Sequence, residues 1–334
     1  MKIIITGGTG FLGRHLVWRL ASMGNELVFT GRNRHEAEHI ISATVNASAV
    51  RFVRIEHGDS SAAAELAACS TDAQAIIHCA GLASPWGAHE AYHHANVAST
   101  EEVLAACRIN RISRLVHISS PSVYFTYSDH IGIHEDTPLP PGVNEYARSK
   151  LRAEQMVLDA TFPHSVILRP RAIFGPWDNA LLPRLLRLLR YGRIPLLRGG
   201  RALLDMSYVD NVVDAVLLSL EHPAGRLPNV FNISNGEPIA ATDLFARLAA
   251  SFDIPIEPVH RPYVLADLFA RVIEAGASLV PGWEPPLTRY SLGAIAFSQT
   301  LDLQRARSVL GYHPRISLLE GIERTATWWK GRAA

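Results

Sequence analysis

Thr6-Gly7-Gly8-Thr9-Gly10-Phe11-Leu12-Gly13 follows a short apolar run, residues 3–6, and opens an amphipathic stretch at 11–23. Gly7, Gly10 and Gly13 form a GxxGxxG spacing. Glycines at those points allow a tight turn, let the backbone approach a pyrophosphate, and let the helix pack closely on the strand. The helix start then offers unpaired N–H groups and a positive dipole end to phosphates. A glycine triplet alone says little; its place between a strand and a helix makes it a dinucleotide loop. Gly7, Thr9, Gly10, Phe11 and Leu12 are the contacts expected from it.

The next strand ends Leu27-Val28-Phe29-Thr30-Gly31-Arg32-Asn33-Arg34. A fold that selects NAD carries an acid there for the ribose hydroxyls. Here an arginine follows the glycine instead, and a guanidinium binds a 2′-phosphate through two parallel hydrogen bonds. The reading favours NADP(H) over NAD(H), with Arg32 as the phosphate ligand; the alternative is that Arg32 and Arg34 are ordinary surface charges. Gly58-Asp59-Ser60, after the third strand, is placed to meet the adenine edge.

Outward from the loop, short apolar runs at 3–6, 26–30, 51–55, 75–78, 115–119, 165–168 and 230–233 read as buried strands. Helical patterns at 11–23, 62–68, 89–108 and 146–160 lie between them. Such alternation implies an α/β fold, a doubly wound parallel sheet covered on both faces. After Pro170 the chain is mostly helical. The expected division is a dinucleotide-binding domain over 1–170, joined again by 205–235, and a smaller substrate domain from 171–204 and 236–334.

The 334 residues are 48% apolar and carry a net charge of only +1, which argues against a nucleic-acid protein. Three cysteines without metal spacing suit reduced thiols in a cytoplasm. No apolar run reaches bilayer-spanning length, so a soluble chain is expected. No metal site is expected either: His93 and His94 point to different helix faces, and His78 and His117 read as satisfied core residues.

Tyr146-Ala147-Arg148-Ser149-Lys150 places Tyr146 and Lys150 on one helix face. A nearby ammonium favours the phenolate, bringing the tyrosine within reach of acid–base work near neutral pH. His117-Ile118-Ser119-Ser120-Pro121-Ser122-Val123-Tyr124 ends the fifth strand, where open α/β sheets bind ligands. A serine hydroxyl there can stabilise a developing oxyanion.

With these elements the chain resembles the extended short-chain dehydrogenase/reductases, the NAD-dependent epimerase/dehydratase group. The resemblance rests on Thr6–Gly13, Asp59, His78-Cys79-Ala80-Gly81, Asn96, Ser119–Tyr124, Tyr146–Lys150, Arg169-Pro170-Arg171-Ala172-Ile173-Phe174-Gly175-Pro176, Ser207-Tyr208-Val209-Asp210-Asn211 and Leu310-Gly311-Tyr312-His313-Pro314. It implies that Ser120 is the catalytic serine, that Tyr146 is the general acid/base, and that Lys150 holds the nicotinamide ribose and lowers the tyrosine pKa. It further implies that Asn96 belongs to the cofactor side of the site, and that Ala80, Gly81, Leu82, Pro170 and Ile173 line the cofactor. A homodimer through a four-helix bundle, built from the helices at 89–108 and at Tyr146, is implied as well.

Within the group the chain is most similar to the 3β-hydroxysteroid dehydrogenase-like branch, on Ser84-Pro85-Trp86, the SPSVYF stretch, and Pro285-Pro286-Leu287-Thr288-Arg289-Tyr290. That implies ketone/secondary-alcohol interconversion on an apolar, steroid-like or long-chain substrate. An apolar stripe at Val264, Leu265, Leu268, Phe269, Val272 and Ile273 could roof such a substrate or could be plain core. A nucleotide-sugar epimerase is the alternative, with Arg198 and Arg201 as candidates for a pyrophosphate. A non-catalytic redox sensor is disfavoured, because Tyr146 and Lys150 are both present.

Overall fold

Ile3, Ile4 and Ile5 are fully buried, Ile3 and Ile5 in one apolar cluster and Ile4 in another. Side chains of a strand alternate between faces, so the first strand lies inside a sheet covered on both sides. In the computed structural model, which describes residues 1–160, 162, 164–223, 229–280 and 282–333, that sheet has seven strands. They are β1 (Lys2–Thr6), β2 (Glu26–Gly31), β3 (Val50–Arg54), β4 (Ala75–His78), β5 (Arg114–Ile118), β6 (His164–Pro170) and β7 (Val230–Ile233). All pair in parallel, in the order β7-β6-β5-β4-β1-β2-β3. This is the Rossmann-like doubly wound sheet, and every expected strand is in it.

Leu16, Val17, Val212, Val213 and Val216 cover one face from the helices Phe11–Ser22 and Val209–Glu221. Leu66, Val103, Leu104 and Cys107 cover the other from Ala62–Cys69 and Ser99–Ile109. Fully burying each such side chain contributes roughly 1.5–3 kcal/mol. The order reverses between β1 and β4, and the crevice beyond their carboxyl ends is where such sheets bind ligands.

The segment 205–235 brings a helix and β7 back to this sheet; its residues 224–228 lie outside the described ones. A second sheet of four short strands runs in the order Ile239–Ala240, Leu203–Leu204, Gln299–Leu301, His130–Ile133. It ties residues from the first half of the chain to residues near its end.

The helix expected at 89–108 is broken into His89–Tyr92, a wide-turned segment His93–Ala98, and Ser99–Ile109. Wide turns of this kind recur at functional sites, and this one carries Asn96. The apolar stripe at 264–273 corrects one of the two expectations for it: it is not core. Val264, Leu265, Leu268, Phe269 and Val272 of the helix Tyr263–Ala277 face outward, 58–74% exposed, while Ala270 and Ala277 face inward. The small alanines let this helix lie close against Arg289–Ala296 and leave the bulky residues outside. Among the described residues no helix is long and apolar enough to cross a membrane.

Candidate active site

The loop after β1 leaves no room for side chains. Gly7 takes a positive φ of +68°, and a Cβ on it would come within 2.7 Å of the Ala80 backbone. A Cβ on Gly13 would lie 2.2 Å from the Gly7 carbonyl oxygen. Gly8 N donates to Thr30 O at 2.8 Å and Gly10 N to Gly7 O at 2.9 Å, locking the turn between β2 and the helix. The helix then starts at Gly10 with no side-chain cap, so its first N–H groups point into the crevice unpaired. That cradle fits a pyrophosphate.

A cleft of about 860 Å³ opens beside the loop, lined by Thr9, Gly10, Arg32, Asn33, Arg190 and Arg332 among others. Arg32 lies on its rim, exposed. Arg332 stacks over Trp177 at 4.5 Å and Trp328 at 5.0 Å, and Arg14 over Trp177 at 4.8 Å. Arg14 is tied to Glu36 at 2.8 Å. Asp59 and Ser60 are exposed just past β3, where Ala62 N donates to Asp59 O at 3.1 Å.

Ser120 leaves β5 with extended backbone and caps the short turn Pro121–Tyr124, its Oγ accepting from Ser122 N at 3.1 Å. Asn144 caps the helix Glu145–Asp159 by accepting from Ala147 N at 2.9 Å. That start sets Tyr146 in the first turn and Lys150 in the second. Burial raises the Tyr146 pKa, and the nearby hydroxyls of Ser120 and Ser122 only partly offset this. The net shift is upward, against the depression expected from Lys150. Lys150 Nζ is turned to Ile118 O, 2.9 Å away. Burial lowers its own pKa to about 8, against the upward pull of Cys79 and Glu154.

Asn96 Oδ1 accepts from Leu82 N at 2.8 Å, and its Nδ2 donates to Ser149 Oγ at 2.8 Å. It thereby pins the loop after β4 to the helix that carries Tyr146 and Lys150. A Cβ on Gly81 would sit 3.1 Å from Lys150 Nζ and 2.8 Å from Asn96 Oδ1. Ala80 N donates to Thr6 Oγ1 at 3.3 Å. Pro170 ends β6 beside Ile233, and Ile173 pairs with Ser207. The cofactor-side residues therefore gather at the carboxyl ends of β1, β4, β5 and β6.

Three features behind the site escaped the sequence reading. Glu154 and Arg169 form a buried ion pair, 1% and 3% exposed, with Ser119 Oγ donating to Glu154 at 2.7 Å. Burial alone would lower Arg169; Glu154 and Tyr124 outweigh it and raise the pKa. A row of histidines also lies under Lys150. His78 shares hydrogen bonds with Thr6 and Thr100, as expected of a satisfied core residue. His117 does not fit that expectation, since neither ring nitrogen has a partner among the described residues. Burial lowers both histidines, keeping them neutral.

The third feature is an aromatic wall on the substrate side. Tyr92 packs on Tyr146 with ring centres 6.5 Å apart, and Phe125 on Tyr290 at 5.2 Å. Tyr290 lies in the electrostatic reach of Tyr146, Arg171, Tyr127 and Tyr92, and burial raises its pKa. Arg198, a candidate for a pyrophosphate, is instead clamped by both oxygens of Asp129 at 2.8 and 2.9 Å. A long-range contact with Asp129 is not visible in local sequence.

Over 97% of the chain it is 33% identical to a 2-alkyl-3-oxoalkanoate reductase of Stenotrophomonas maltophilia, matching 98% of that protein. It is 28% identical over 97% of its length to a mouse sterol-4-alpha-carboxylate 3-dehydrogenase, decarboxylating, matching 90% of it. The fold matches a solved structure of MoeE5 in complex with UDP-glucose and NAD, with TM-score 0.76 at 23% identity and 100% of both chains covered. Residues 3–234 match the NAD dependent epimerase/dehydratase family, and the chain belongs to that family.

Proposed function

We propose that the protein is an NADP(H)-preferring oxidoreductase that interconverts a ketone and a secondary alcohol on an apolar substrate. The observation that carries this reading is the convergence of Ser120, Tyr146 and Lys150 beside a glycine cradle and an aromatic wall. The relatives support the chemistry, since their names describe an oxoalkanoate reductase and a sterol dehydrogenase.

Gly7, Thr9, Gly10, Phe11 and Leu12 would hold the pyrophosphate, and Arg32 the 2′-phosphate. Asp59 and Ser60 would meet the adenine, and Ala80, Gly81, Leu82, Asn96, Pro170 and Ile173 would line the nicotinamide half. The dinucleotide, when bound, supplies the hydride. Ser120 orients the substrate oxygen, and Tyr146 donates the proton to it. The raised Tyr146 pKa keeps that proton in place at neutral pH, which suits reduction. Lys150 holds the ribose and offsets the phenolate left behind.

We also propose that 1–170 with 205–235 carries the dinucleotide, that 171–204 with 236–334 carries the substrate side, and that the protein works in a reducing cytoplasm. A homodimer through the helices at 89–108 and at Tyr146 completes the proposal. Its faces would bring Glu101, Arg108, Arg148 and Arg152 together, all exposed here; sedimentation velocity tests it.

The experiment for the function is a titration with NADPH and NADH, followed by a ketone panel from small sugars to sterols. Tighter binding of NADPH, by about tenfold or more for one lost charge-assisted contact, and turnover of apolar ketones are expected. Equal affinity removes the role given to Arg32. Turnover confined to sugar nucleotides overturns the substrate class.

A further inference from the structure

Arg169 and Arg171 stand two residues apart at the end of β6, and both are buried, 2% and 8% exposed. Their fates differ. Arg169 is saturated by Glu154, Tyr124 and the Glu135 carbonyl. Arg171 makes no ion pair or side-chain hydrogen bond among the described residues, and its Nε is sealed from solvent without a partner. The other buried guanidinium, Arg14, is likewise engaged, with Glu36 and the Thr9 carbonyl. A buried charge left unpaired is among the costliest features a fold can retain, so an anion outside the chain is called for.

We propose that Arg171 is the specificity residue of the substrate site, binding a carboxylate that stands a short spacer from the reacting ketone, so that the substrate is a 3-oxo acid. This rests on the ketoreductase reading and names the substrate class for it.

Position supports it. Arg171 directly follows Pro170 at the carboxyl end of β6, where the candidate site lies, its backbone N donating to Ile233 O at 2.9 Å, and Tyr290 lies within electrostatic reach of both Tyr146 and Arg171. Ser122, Gln299 and Asp205 each also hold a buried side-chain polar atom that lacks a partner among the described residues. Ser122 Oγ approaches Tyr146; Gln299 Oε1 belongs to an amide that donates to Pro121 O; Asp205 Oδ1 belongs to a carboxyl that accepts from Leu301 N, two residues along the same strand. Asp205 lies within electrostatic reach of Arg171 but makes no ion pair with it among the described residues, and burial, the largest influence on its carboxyl, raises the Asp205 pKa against the pull of Arg171.

Charge and shape set the ligand class. A guanidinium offers two parallel N–H groups to a carboxylate. The aromatic residues Tyr92, Phe125, Tyr127 and Tyr290 suit an apolar body. A nucleotide pyrophosphate would need several cations, yet Arg198 is held by Asp129, Arg289 by Asp267 and Arg184 by Glu284. Among the described residues Arg171 is the one buried guanidinium without an ion pair, and it answers one negative charge.

The test compares the wild type with Arg171→Met and Arg171→Lys. The probes are 3-oxodecanoate and its methyl ester, turned over with NADPH. Binding of 3-hydroxydecanoate in the presence of NADP+ is measured by calorimetry. Arg171→Met should lose about a hundredfold in kcat/KM on the acid, as expected when one partner of a buried charge pair is removed. On the ester it should lose little. Arg171→Lys should recover part of the preference. The thermal midpoint of Arg171→Met should hold or rise, because an unpaired buried charge is removed. An acid-to-ester ratio within threefold of wild type in Arg171→Met overturns the proposal and leaves the guanidinium to trapped water. Suppose wild type reduces neither probe but binds 3-hydroxydecanoate through Arg171: ketone reduction then fails while the carboxylate site stands. Binding of UDP through Arg171, or no binding of 3-hydroxydecanoate by wild type, overturns the site itself.

Discussion

Arg169→Met removes one half of an ion pair whose side chains are 3% and 1% exposed. At the 3.1 Å separation of Arg169 Nε and Glu154 Oε2, an effective dielectric of about 20 gives a gross attraction of about 5 kcal/mol. Removing one partner costs about 3–5 kcal/mol, because the survivor stays charged in a medium that cannot solvate it. After the change Glu154 keeps, among the described residues, only the Ser119 hydroxyl at 2.7 Å. Urea unfolding of the single variants and of the Arg169→Met/Glu154→Met double variant measures this. The double variant leaves no orphan charge and should recover most of the loss, a coupling of about 2 kcal/mol or more. A single-variant loss below about 1 kcal/mol, or a double variant as unstable as the two losses added, refutes the reasoning. Since Ser119 precedes Ser120, turnover should fall in the single variants while dinucleotide affinity holds.

Three further outcomes follow from the site. Lys150, lowered to about 8 by burial, loses its ammonium as pH rises through that value, so kcat/KM for NADPH should be level in mild acid and fall above about pH 8; a profile level through strong base contradicts this. The same shift enters stability: from about 8 up to the unfolded value of 10.5 the unfolded chain holds a proton that the folded chain has released, so stability rises with pH across that window. Gly13→Ala should abolish measurable dinucleotide binding, because its Cβ would meet Gly7 O at 2.2 Å and Gly8 Cα at 2.7 Å, both backbone; unchanged affinity in calorimetry would show that the loop is not a phosphate cradle.

The parts of this molecule written in local sequence were legible. The seven strands declare themselves by short apolar runs, and the loop after β1 by its glycines. The helix Arg34–Ser42 went unseen although Asn33 caps it by accepting from Glu36 N at 3.2 Å; an Asn with a Glu three residues on is a start signal that could have found it. Features made by distant residues were not legible. The two-, three- and four-residue strands of the second sheet are too short to show a period. The pairing of Arg169 with Glu154, and the lack of any pairing at Arg171, depend on which side chains the fold brings together. The stripe at 264–273 had the right period for a buried face, but period does not say which face is covered, and here the alanines won the inside.

The central claim is that Tyr146 supplies the proton for a reaction driven by a bound dinucleotide. It is tested most directly by Tyr146→Phe, with ketone-dependent NADPH oxidation and dinucleotide affinity measured on the same samples. The account predicts that turnover falls by about a hundredfold or more, the usual share of a positioned proton donor, while affinity stays within about threefold, since the hydroxyl rather than the ring is removed. Turnover at the wild-type rate, or turnover and dinucleotide binding lost together, would contradict it.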